Sequence, residues 1–166
     1  MRVLGLPGRL EATFPRMQAI VAALSPDAVV HRYAAWPDDP VPDEEAEAAR
    51  VGPFRPDLVV AVSLGTLVAM AARARHSLEA KAYVFLGVPL DRLKAEGRVA
   101  ILGEQALAAP TLFIQQTNDF TGPFADLAAT LPAGVDLREV AGGDHVYDRT
   151  EELAALIRAW MSRRMC

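Results

Sequence analysis

Cysteine is nearly absent: Cys166, the last of 166 residues, is the only one. That excludes an intramolecular disulfide and the multi-cysteine zinc patterns, and it fits a reducing cytoplasm. Clustered cations are missing too. Formal net charge is −4, the basic residues are scattered apart from Arg163-Arg164, and no cationic surface for a phosphate backbone is evident, so nucleic acid is not an expected partner. No apolar run reaches the length of a membrane span, because Ser, Gly or charge interrupts each one. Nor does the amino terminus carry a signal peptide, since Met1-Arg2-Val3-Leu4 runs straight into Gly5 and Pro7. A chain free in solution, with no membrane partner, is expected. The glycines of Gly5-Leu6-Pro7-Gly8-Arg9-Leu10 are not followed by the Gly-Lys-Ser/Thr of a phosphate loop, and the third glycine of a dinucleotide fingerprint is missing.

What the chain does contain is apolar and regularly spaced. Hydrophobic residues make up 52% and charged residues 23%, enough to bury one real core, and the length suits a single domain over residues 1–166. Short runs rich in Val, Ile and Leu predict strands at Arg2–Leu6, Ala28–Tyr33, Leu58–Ser63, Ala82–Leu86, Thr111–Gln115 and Val135–Val140. Helical patterns alternate with them at Phe14–Leu24, Asp43–Val51, Leu64–Arg75, Leu90–Glu96, Gly122–Leu131 and Thr150–Arg163, with a turn near Glu104–Ala108. Prolines 37, 40, 42, 53 and 56 punctuate loops around a short helix. This rhythm predicts an α/β fold: a three-layer α/β/α sandwich around about six mostly parallel strands.

The informative passage is Leu58-Val59-Val60-Ala61-Val62-Ser63-Leu64-Gly65-Thr66-Leu67-Val68-Ala69, a β-branched strand that turns directly into an Ala-rich helix. A serine at such a turn is presented at the carboxyl end of a central strand, and small residues two positions either side relieve the crowded backbone. Here those are Ala61 and Gly65. The segment resembles the nucleophile elbow of the α/β-hydrolases, G-x-S-x-G, with alanine in place of the first glycine. The resemblance follows the order of elements along almost the whole chain, which starts at what would be the family's third strand, and it implies a minimal α/β-hydrolase fold without an inserted lid.

It also implies partners for Ser63 in the order serine, acid, histidine. After the strand Thr111–Gln115 comes Gln116-Thr117-Asn118-Asp119-Phe120-Thr121-Gly122, with Asp119 as candidate acid. Asp91 and Asp144 are alternatives. After the last strand, Gly142-Gly143-Asp144-His145 offers His145 as candidate base, since a near-neutral imidazole can take and return a proton. His31, inside a strand candidate, and His76, at a helix end, read instead as packing and helix-capping residues. Oxyanion donors would be the Leu64 amide and, from the first loop, that of Leu6, Gly8 or Arg9, with Gly8 favoured for the close approach it permits; the His-Gly that often opens this loop in the family is missing and Pro7 has no N–H. Leu6, Leu64, Pro89, Leu90, Phe120 and Val146 are candidates to line a shallow, open site. The resemblance implies a serine hydrolase of small carboxylic esters or thioesters, acting through an acyl-enzyme on a small-molecule acyl substrate, with neither metal nor organic cofactor. A hydrolase-like domain that binds a ligand or protein without turnover is the alternative.

Overall fold

A computed structural model describes residues 1–36, 41–52 and 54–164. Pro37, Pro40, Pro53 and Cys166, used above, lie outside the described residues. Six strands, β1 (Val3–Leu6), β2 (Ala28–Val30), β3 (Leu58–Val62), β4 (Ala82–Leu86), β5 (Thr111–Gln116) and β6 (Asp136–Val140), form one sheet in the order β2-β1-β3-β4-β5-β6. Every neighbouring pair is parallel. The central strands are buried on both faces, which is why β3 and β4 read as unbroken apolar runs rather than as alternating ones.

Parallel neighbours require crossovers, and the helices supply them. On one face lie α1 (Phe14–Leu24) and α7 (Thr150–Arg164), whose Met17, Ile20, Val21, Leu153, Ile157 and Trp160 pack on Val3, Val60, Val84 and Ile114. On the other lie α2 (Glu44–Val51), α3 (Leu64–Ala74), α4 (Leu90–Ala95), α5 (Ala100–Ala108) and α6 (Phe124–Thr130), packed on Leu4, Val59, Ala61, Phe85 and Phe113. Each fully buried aliphatic or aromatic side chain contributes about 1.5–3 kcal/mol relative to leaving it in water. The sheet thus carries two separate cores, one per face, and the three-layer architecture matches the sequence expectation. No helix among the described residues is long and apolar enough to cross a membrane.

Several element bounds differ from the sequence reading, each for a local reason. β2 stops at Val30: His31 still donates its N–H to the Gly5 carbonyl at 2.9 Å, but its ring turns to Glu47, 2.9 Å away, and Tyr33 turns to the Pro7 carbonyl. His31 is therefore a packing residue beyond the strand rather than within it. α6 begins at Phe124, because Gly122 (φ +144°) and Pro123 lead into it with non-helical backbone. α5 is a full nine-residue helix where only a turn was expected. His76, at φ 57°, makes a left-handed turn just after α3 and donates its N–H to the Arg73 carbonyl at 2.8 Å, the geometry of a helix C-terminus.

Candidate active site

Ser63 is the hinge between β3 and α3. Its φ of 51° and ψ of −118° place it outside the regions open to most L residues, and its N–H is donated to the Leu86 carbonyl of the neighbouring strand at 2.9 Å. The crowding that demands small neighbours is visible at Gly65, where a Cβ would lie 2.2 Å from the Leu6 carbonyl oxygen. No side chain fits there. Ala61 is wholly buried in the core beneath.

The strand order brings three distant residues to this edge of the sheet. His145, after β6, places Nε2 2.8 Å from Ser63 Oγ, and its Nδ1 lies 2.8 Å from Asp119 Oδ2. Asp119 follows β5 and is buried. Asp91 and Asp144 are not part of this chain of contacts. Asp91 is exposed in the first turn of α4, and Asp144, also exposed, accepts from Gln116 Nε2 at 3.0 Å and from the Val146 N–H at 2.9 Å.

Burial works hardest against an ionised Asp119, yet donors from His145 and Thr121 together hold its carboxyl below the usual range. The Thr121 N–H and hydroxyl donate to Oδ1 at 2.9 and 2.8 Å. Oδ2 also accepts from the Tyr147 hydroxyl at 2.8 Å. Tyr147, buried and next to the carboxylate, is pushed well above the ordinary phenol value, by burial first and the Asp119 charge second. The loop that carries His145 is held by a residue expected only as loop: Gln116, the last of β5, accepts the His145 N–H at 2.9 Å through Oε1 and donates through Nε2 to the Val146 carbonyl at 2.9 Å. Gln116 and Tyr147 were missed in the sequence.

Opposite Ser63 runs the loop Pro7–Leu10, whose carbonyls are all engaged from outside. Tyr33 Oη donates to Pro7 O at 2.6 Å, Trp36 Nε1 to Arg9 O at 2.9 Å, and Thr13 Oγ1 to Gly8 O at 3.2 Å and Leu10 O at 2.6 Å. A trans peptide sends its N–H opposite to its carbonyl. The Gly8 amide, antiparallel to the tethered Pro7 carbonyl, has no hydrogen-bond partner among the described residues, and neither has the Leu64 amide at the first position of α3. A Cβ on Gly8 would stand 3.6 Å from that of Ser63.

A cleft of about 240 Å³ opens at Ser63. Phe120 and Val146 line it as expected, with Leu10, Met17, Ile20 and Val62 completing an apolar wall and Arg9 and Arg16 present as cations. Leu6, Leu64, Pro89 and Leu90 do not line it. They are buried in the body of the protein, because the strand and helix termini that carry them turn those side chains into the core. Among the described residues, no three of His, Cys, Asp and Glu converge as a metal set would.

No protein-family model matches the chain, and no curated protein matches it in sequence. Solved structures do. A serine hydrolase homologue from Coxiella burnetii aligns at TM-score 0.62 and 14% identity over 99% of this chain and 85% of its own. Alpha/beta hydrolase domain-containing protein 10 from mouse aligns at 0.66 and 14% over 98% and 90%. The fold is that of the α/β-hydrolases. Est816, described as an N-acyl homoserine lactone degrading enzyme, shares this α/β-hydrolase fold at TM-score 0.63 and 15% identity, over 96% of this chain and 92% of its own.

Proposed function

We propose that the chain is a serine hydrolase that cleaves small carboxylic esters or thioesters. The observation that carries this reading is the continuous hydrogen-bonded line from Ser63 Oγ through both ring nitrogens of His145 to Asp119, with both links at 2.8 Å. A serine, an imidazole and a buried ionised carboxylate so connected are what general-base activation of a hydroxyl requires. His145 takes the Ser63 proton as the oxygen attacks the acyl carbon. Asp119 holds the ring with Nδ1 protonated and balances the imidazolium charge. The unpartnered Leu64 and Gly8 amides are the donors for the oxyanion. The imidazolium returns its proton to the leaving group, and water repeats the sequence on the acyl-enzyme.

Small molecules are the substrate class that suits a 240 Å³ cleft with an apolar wall. A fluorophosphonate probe tests the assignment: the wild-type protein should label, and Ser63→Ala should not. Nitrophenyl esters and matched acyl-thioesters then separate esterase from thioesterase, with Ser63→Ala expected to lose about 10⁶-fold in turnover. A wild-type protein that takes no label and hydrolyses neither series would instead be a hydrolase-like binding domain.

A further inference from the structure

We propose that Tyr147 is a positioning residue whose phenol sets how much negative charge Asp119 presents to His145, and so how strong a base His145 is toward Ser63. The inference rests on the serine-hydrolase reading and goes beyond its three residues. Three observations carry it. First, the Tyr147 hydroxyl is a relay: it accepts the Gln116 N–H at 2.9 Å and donates to Asp119 Oδ2 at 2.8 Å. That oxygen also faces His145 Nδ1, which lies 2.8 Å from Oδ2 and 2.9 Å from Oδ1. Second, the ring has one place to be. It stands edge-on to the His145 imidazole, with centroids 6.0 Å apart and planes at 85°, and a Cβ on Gly87 would meet Tyr147 Cε2 at 2.4 Å and His145 Cε1 at 3.0 Å. Gly87 adopts φ +60° directly under both rings. Third, the phenol is buried and its hydroxyl is fully engaged, so no water competes for the carboxylate on that side.

A carboxylate that accepts one donor more is a weaker acceptor for each of the others. The phenol therefore draws charge from Asp119 that would otherwise stabilise the imidazolium. The other groups facing His145 are Ser63 at Nε2, Thr121 beside Nδ1, Asp144 just before it in the chain, and Arg9 and Arg16 along the same cleft. None of these occupies Oδ2; removing the phenol also leaves the Gln116 N–H without its acceptor, a change that a fluorinated phenol at the same position does not make.

The experiment is Tyr147→Phe, which keeps the ring over Gly87, measured against a protein carrying 3-fluorotyrosine at 147, whose more acidic phenol is a stronger donor. The acid limb of kcat/KM should move to higher pH by about half a unit in Tyr147→Phe, and to lower pH with fluorotyrosine, with KM little changed in either. A merely structural tyrosine lowers stability or kcat and leaves that limb in place. Superimposable acid limbs in folded protein would overturn the proposal. Should the wild-type chain hydrolyse no test ester, the same shifts are read from the NMR titration of the His145 ring. The positioning role thereby stands or falls separately from the catalytic one.

Discussion

Ser63 holds a backbone conformation that costs roughly 1–3 kcal/mol for an L residue. Ser63→Gly relieves that strain, partly offset by the greater freedom of glycine in the unfolded chain. Ser63→Gly should therefore be about 1 kcal/mol more stable to urea than Ser63→Ala, which keeps the strain, while both fail to label. Gly87→Ala should act in the opposite sense. Its Cβ meets the Tyr147 ring at 2.4 Å, at a positive φ, and a loss of about 3 kcal/mol in the urea series is expected. Ser63, Asp119 and His145, which the structure brings into one hydrogen-bonded line, were candidates in the sequence because proton transfer needs those residue types and because the resemblance gives their order, after β3, β5 and β6. Tyr147 could not: a tyrosine two residues beyond a histidine carries no spacing that names the partner of its hydroxyl. Gln116 was hidden for a similar reason, since glutamine at a strand end looks like the start of a loop until its side chain is seen bracing the histidine backbone.

At the scale of elements, the loop Pro7–Leu10 owes its shape to donors from Thr13, in the short 3₁₀ turn Glu11–Thr13, and from Tyr33 and Trp36. Tyr33→Phe removes the 2.6 Å bond to the Pro7 carbonyl, frees the peptide that presents the Gly8 amide, and should lower ester turnover about ten-fold for about 1 kcal/mol of stability. Steady-state kinetics beside a urea titration would separate the two effects. Strands and long helices were legible because their burial is written in apolar runs and 3.6-residue periods. α5 was largely missed because only Leu102 and Gln105 of its nine residues are buried while Leu107 is 82% exposed, which erases an amphipathic stripe. The cleft wall was misassigned for a deeper reason. Met17 and Ile20 of α1 serve both the core and the cleft, and a side chain that packs and one that borders a cleft are apolar alike.

For the molecule as a whole, acid should be the weak direction. Asp57, half-buried beside the exposed Lys81, is held below the ordinary carboxyl range by that cation, and the exposed Glu96 by Arg92 and Arg98; such solvent-facing pairs add little. Burial opposes ionisation most at Asp119 and Asp136, yet His145 and Thr121 hold the first low, and Arg164 and Trp160 the second. A depressed folded-state value adds stability above the unfolded value, near about 4, and loses it as pH falls through the folded one. The urea midpoint should thus stay level from neutrality to about pH 5 and drop below about pH 4.

Ser63 and His145 meet across 82 residues of chain, and Asp119 joins them from the end of a third strand. No fragment holding only one or two of these strands can assemble the line of hydrogen bonds. Reactivity toward a serine probe is then a clock for folding. In refolding from urea it should return with the slowest phase, after helical circular dichroism has recovered, because parallel pairing of distant strands is the late, entropically demanding step.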